Sequence, residues 1–349
     1  MTIEQVNLSE KEKKRIKWSW GLIIRLSLTI SILIYLGYRL NWTELGKQFG
    51  QVDLAWLTAA CLLVGITFIF GSIRWWLLLK VQDIYLPLKT VTALTLIGQF
   101  FNSFFLGATG GDVIKTLYLL KYAPFKKTQA ALSVIMDRVM GLFILLSIAL
   151  IALPWNFHLL ARRAEIKPIA VALFITFGVL LGGAISLAFI PFKRLSIFPH
   201  RLWQMIPRRD IIESLVAGFR QHGYSLRLTL EAIAYSFACW LFVFVAGYCI
   251  ARATHINMTF MQIPIIFSIV ICVISLPISI GGHGIREGAF IIMFAAFGVI
   301  TIDKQTGGGQ EQAILFSILF FAIYSVWSLL GGLVYLTFQH NFVKIDEGK

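Results

Sequence analysis

Gly110-Gly111-Asp112-Val113-Ile114-Lys115 and Gly281-Gly282-His283-Gly284-Ile285-Arg286 repeat one pattern, 171 residues apart, inside otherwise lipid-like sequence. Each is a glycine break between two apolar arms. At membrane depth such a break frees backbone N–H groups that lipid cannot satisfy, so protein or a wet cavity must surround it. Two interrupted segments in corresponding places of two halves of a chain are the pattern of a transporter's binding site.

Composition sets the class around these breaks. Of the 349 residues 58% are hydrophobic and 14% charged, and the mean hydropathy is +0.79. That is the make-up of an all-α polytopic membrane protein. No polar stretch is long enough for a separate soluble domain, so residues 1–349 read as one transmembrane domain, with a basic cytoplasmic linker at 191–228. The net charge of +14 suits loops at an anionic leaflet and argues against a nucleic-acid partner. Cys61, Cys239, Cys249 and Cys272 lie in apolar runs without metal-binding spacing and read as packing residues. The first apolar run follows five lysines and arginines, lacks a small-residue cleavage site, and reads as a retained anchor.

Apolar runs of spanning length lie near 20–38, 54–73, 128–153, 168–190, 229–251 and 312–337. The stretches 90–123 and 260–300 hold the glycine breaks. About six full spans plus two re-entrant hairpins are therefore predicted. With that count, 21 lysines and arginines fall on one side, seven on the other and three inside. The positive-inside rule then makes both termini and the linker cytoplasmic. Three spans separate the hairpins, an odd number, so the halves form an inverted repeat. Counting each hairpin as two full crossings gives the same loop sides, and charge does not separate the two.

Ionisable residues at these breaks are the candidates for chemistry. Asp112 and Lys115, three apart, share a helix face behind the Gly110-Gly111 pair. Free N–H groups, a helix N-terminus and a lysine together suit a phosphate. Arg286 and Glu287 open the matching arm behind Gly281, Gly282 and Gly284. A membrane-embedded arginine is functional by default, and a guanidinium binds phosphate bidentately. The alternative is that Asp112 with Lys115, and Arg286 with Glu287, are structural pairs locking the hairpins in place. Asp137 and Arg138 form a second acid–base pair, one member facing the site while the other snorkels. His283 suits hydrogen-bonded packing better than proton relay. Asn102, beside Gln99 and Ser103, suits either freed backbone groups or a ligand. Arg74-Trp75-Trp76 reads as an interface belt with a snorkelling arginine.

At these motifs the chain resembles the flippase-like transmembrane family, which includes the membrane domain of lysylphosphatidylglycerol synthetases and related stand-alone proteins. The resemblance rests on Arg74-Trp75, on Asn102 through Lys115, on Asp137-Arg138 followed by Gly141, and on Pro277 to Glu287, the most specific segment. Members carry a proline shortly before the Gly-Gly-Asp, where this chain has Leu106, which implies a less sharply broken first hairpin. The resemblance implies movement between leaflets of an anionic phospholipid or a polyprenyl-phosphate-linked glycolipid, in a bacterial-type cytoplasmic membrane. The last apolar run ends some twelve residues before Lys349, so the aminoacyltransferase domain of the family's larger enzymes is not expected. The chain therefore reads as a non-enzymatic translocator of a membrane lipid or lipid-linked sugar, needing no cofactor or metal. A scaffold or accessory subunit for a lipid-modifying enzyme is the second reading. A lipid-linked glycosyltransferase or phosphatase is the third, disfavoured because no paired-carboxylate or histidine site faces water.

Overall fold

A computed structural model describes residues 40–104, 110–156, 167–189, 225–275, 282–301 and 309–346, with part of the segment 27–38. Among the described residues every element is helical. In chain order they are α1 (Trp42–Gly50), α2 (Leu54–Val81), α3 (Leu88–Phe104), α4 (Gly110–Tyr122), α5 (Lys127–Ala152), α6 (Lys167–Phe189), α7 (Leu226–Ala253), α8 (Ile263–Ser275), α9 (Ile285–Ala296) and α10 (Gln310–Asp346). Four of them, α2, α5, α7 and the Gln310–Thr337 part of α10, are long and apolar enough to cross a membrane. α6 is a further helix of 23 residues whose sequence is apolar after Lys167. Most of the predicted first span, and the linker up to residue 224, lie outside the described residues.

Local chemistry sets the boundaries. Asn41 and Asp53 cap α1 and α2, their side-chain oxygens accepting from Glu44 N at 3.1 Å and Ala55 N at 2.8 Å. Pro87 stands immediately before α3 and Pro154 just after α5, where a missing N–H costs least. The long helices are apolar all round, so burial alone does not orient them in lipid and close packing must. Glycines supply it. Gly65 takes the Trp327 indole, Gly247 takes the Phe267 ring, and Gly331 lies against the Leu96 carbonyl. Phe267 in turn meets Phe244, Phe290, Phe316 and Phe320 edge-on, with centroids 5.3 to 6.2 Å apart, joining α7, α8, α9 and α10.

The two interrupted segments pack from opposite ends of this bundle. α4 runs antiparallel to α3, Gly111 lying against Gly98 and Asn102. It also runs antiparallel to α5, pairing Lys115 with Asp137 and sharing an apolar cluster between Leu119 and Ala130. The α3–α4 pair thus occupies the N-terminal half of α5. α8 starts at the other end, where the Met261 carbonyl accepts from Asn156 Nδ2 at 3.0 Å, and passes Leu145, whose carbonyl accepts from Ser268 Oγ at 3.3 Å. α9 turns back along the N-terminal part of α10, with Phe294 and Phe316 centroids 5.2 Å apart.

The glycine pairs do different work. Gly110 and Gly111 are the first residues of α4, and a Cβ on Gly111 would collide with the Gly98 carbonyl. Gly111 is there for close approach. Gly282 and Gly284 instead take φ of +74° and +80°, the left-handed region other residues rarely enter. Gly281 and Pro277 lie outside the described residues, as do residues 105–109 between α3 and α4.

Candidate functional site

α2, α3, α4, α5, α7, α8 and α10 converge on a cavity of 520 Å³. Its charged lining is Arg74, Asp112, Lys115, Asp137 and Arg138. Asn102 also lines it, and Ile271 and Ser275 bring the end of α8 to its wall. Phe68, Leu142, Leu145, Trp240 and Val243 make the rest largely apolar.

Asp137 is the hub. Its Oδ1 accepts from Arg74 Nε at 2.8 Å and its Oδ2 from Lys115 Nζ at 3.3 Å. Lys115 also sits 3.5 Å over the ring of Trp75, a cation–π contact with a fully buried indole. Farther out, Arg138 Nε donates to Asp112 Oδ2. Side-chain exposure is 6% for Lys115, 13% for Arg74 and 14% for Asp137, against 24% for Asp112 and 39% for Arg138. The cavity therefore runs from a half-exposed ion pair down to a buried three-membered cluster. Helical spacing produces this order: Asp112 and Lys115 lie three apart on one face of α4, while Asp137 and Arg138, adjacent on α5, serve the inner and outer groups separately.

The backbone N–H of Gly111 is not open to a ligand, because Asn102 Oδ1 accepts from it at 2.8 Å. Asn102 thus satisfies freed backbone and fixes the α3–α4 crossing. Ser328 on α10 holds the same arm, donating to the Gln99 carbonyl at 3.0 Å and pairing with Ser103 Oγ at 2.8 Å.

The second glycine segment forms a separate buried network. Arg286 Nη2 bonds Glu287 Oε1, Arg286 Nε donates to Ser317 Oγ at 2.9 Å, and Glu287 Oε2 accepts from Gly284 N at 2.7 Å. Ser317 Oγ lies 3.2 Å from Glu287 Oε1, and the Arg286 guanidinium is 4.5 Å from the Phe321 ring. His283 meets the same ring edge-on at 4.7 Å. Arg286, Glu287, His283 and Gly282 are not part of the cavity lining, so the expected meeting of Arg286 with Lys115 at one cavity is not found. The network's internal pairing matches the structural alternative for Arg286 and Glu287.

Arg74 corrects the sequence reading most. The sequence places it in an interface belt and counts it and Lys115 with the cytoplasmic loops, whereas the structure encloses both in the bundle. The helix does not stop at the first arginine: Trp75-Trp76-Leu77-Leu78-Leu79 continues α2 to Val81. That apolar continuation was the available signal, and the long separation between Arg74 and Asp137 concealed the pair.

The chain matches the family described as the lysylphosphatidylglycerol synthase transmembrane region over residues 22–332. It is also similar to a UPF0104 membrane protein of Pyrococcus horikoshii, 25% identical over 314 residues that cover 83% of this chain and 89% of the relative. No solved structure matches the chain significantly.

Proposed function

Because the chain belongs to the lysylphosphatidylglycerol synthase transmembrane family, we propose that it binds the phosphate-bearing head group of a membrane lipid or lipid-linked sugar in this cavity and moves it between leaflets. One observation carries the reading: three cations and two carboxylates line a cavity whose remaining wall is mostly apolar. Buried ion pairs are poor sources of net stability, whereas a cationic excess beside an apolar wall suits an anionic head group with its first methylenes. In this reading Lys115, Arg138, Asp112 and Asp137 contact or balance the head group, Asn102, Gly110 and Gly111 shape the hairpin, and the Arg286–Glu287 network braces the second one. The site needs no metal or cofactor, and the protein acts without catalysis.

Helix lengths support re-entry. α9, whose two ends both lie among the described residues, has 12 residues and at about 1.5 Å per residue reaches about 18 Å, short of a hydrocarbon core of about 30 Å. The packing of the two interrupted segments from opposite ends supports an inverted repeat, the charge bias of the loops supports termini on the inner side of a cytoplasmic-type membrane, and rocking of the halves would expose the cavity alternately. The internal pairing of Arg286 with Glu287 favours a second reading, a non-catalytic scaffold for a lipid-modifying enzyme.

The test is mass spectrometry of lipids co-purifying with wild type and Lys115→Ala, combined with leaflet-exchange measurements in proteoliposomes. Losing one desolvated charge-assisted contact is expected to weaken retention by roughly tenfold or more. Unchanged retention and exchange in a normally folded variant would overturn the reading in favour of the scaffold.

A further inference from the structure

Arg74 reaches Asp137 with one nitrogen only. Nε donates at 2.8 Å, and neither Nη1 nor Nη2 has a hydrogen-bond partner among the described residues. The Arg74 side chain keeps 13% of its surface exposed. The guanidinium edge lies over Gly141, where a Cβ would stand 3.2 Å from Nη1 and 3.8 Å from Nη2. The Gly141 carbonyl accepts from Trp240 Nε1 at 2.7 Å, and Arg74 hydrogen-bonds Asp137 rather than this carbonyl. Arg74, Gly141 and Trp240 all line the cavity. A two-pronged donor edge therefore stands at the cavity's buried end without an acceptor among the described residues.

Charge limits what that acceptor can be. Arg74, Lys115 and Arg138 against Asp112 and Asp137 leave an excess of one positive charge. A phosphodiester carries one negative charge and two unesterified oxygens, the geometry a guanidinium fork matches. A diesterified pyrophosphate carries two charges and would leave one uncompensated in a poorly solvated site.

We propose that Arg74 is the anchor of this cavity, its free Nη1–Nη2 edge binding the two unesterified oxygens of one phosphodiester, and that the site selects such a monoanion over a pyrophosphate. The proposal rests on the lipid-binding reading above and specifies its ligand class. Gly141 keeps the edge clear, and Phe68, Leu142 and Val243 line the wall for apolar atoms of the ligand.

The experiment titrates the full chain in detergent micelles with three probes, phosphatidylglycerol, a polyprenyl pyrophosphate-linked sugar and water-soluble glycerophosphoglycerol, read by native mass spectrometry alongside thermal unfolding. The variants are R74K, which keeps the charge and loses the fork, G141A, which adds a methyl against Nη1, and K115A. Phosphatidylglycerol is expected to bind wild type about tenfold or more tighter than the pyrophosphate lipid, to weaken about tenfold in R74K and to weaken several-fold in G141A, each variant still unfolding cooperatively above the titration temperature. Binding of glycerophosphoglycerol as tight as the lipid would support the anchor and make the ligand a soluble diester. Binding that falls in K115A but is unchanged in both R74K and G141A would overturn the Arg74 anchor alone, as would equal affinity for the pyrophosphate lipid overturn the selectivity. Absence of any Lys115-dependent binding would overturn the lipid-binding reading itself.

Discussion

Replacing Asp137 by asparagine strands two cations at once, because this carboxylate alone bridges Arg74 Nε at 2.8 Å and Lys115 Nζ at 3.3 Å. All three side chains are at most 14% exposed, so little water is present to take over the lost charge. Removing one member of a buried ion arrangement costs about 3–5 kcal/mol, and the upper end is expected here. Lys115→Met leaves Arg74 and Asp137 matched, so it forfeits one charge-assisted hydrogen bond and the Trp75 contact, about 1.5–3 kcal/mol. The two changes must interact. In the Asp137→Asn background Lys115→Met removes a repelled cation, and its effect is expected to turn neutral or stabilising, a coupling of about 2–3 kcal/mol. Reversible unfolding in mixed micelles, followed by tryptophan fluorescence, measures all four proteins. Effects that add within about 0.5 kcal/mol would refute the claim that Asp137 is the shared partner.

Two further expectations follow from the packing. Gly111→Val drives a side chain into the Gly98 carbonyl and breaks the Asn102–Gly111 hydrogen bond, so it is expected to destabilise by at least about 1–3 kcal/mol, more than Gly98→Ala, whose Cβ would meet Gly111 O at 3.2 Å; near-wild-type unfolding of Gly111→Val would show that α3 and α4 do not cross there. Glu287→Gln weakens the network with Arg286, Gly284 and Ser317, and is expected to cost about 3–5 kcal/mol with lipid retention unchanged, the double change to Met at 286 and 287 recovering much of it; normal stability with lost lipid would move the ligand site to the second hairpin.

Much of the fold was legible because lipid imposes simple rules on sequence. The spans assigned to α2, α5, α7 and α10 are continuous apolar runs, and each glycine-broken stretch contains two helices among the described residues. Asn102, Asp112, Lys115, Asp137 and Arg138 were found because an ionisable or amide side chain in such surroundings is costly unless it has a partner or a purpose. Arg74 is not legible in the same way, because an arginine near a helix end reads as snorkelling. Its real distance from the end depends on where the helix stops.

The sequence by itself determined the class of the protein, the positions of most long helices, the two interrupted segments and the local spacing that sets Asp112 and Lys115 on one face. These depend on hydropathy and on separations of a few residues, which covalent geometry fixes. Tertiary structure alone decided which charges meet. Asp137 chooses between Arg74, 63 residues away, and its own neighbour Arg138, while Arg286 turns to Glu287 and Ser317 instead of the cavity. It also decided that Gly111 serves contact while Gly282 and Gly284 serve turning. Pairing of buried charges depends on which helix faces are pressed together, and in a bundle of helices apolar on every side, that orientation is set by the fit of glycines against neighbouring backbones and rings rather than by any pattern along the chain.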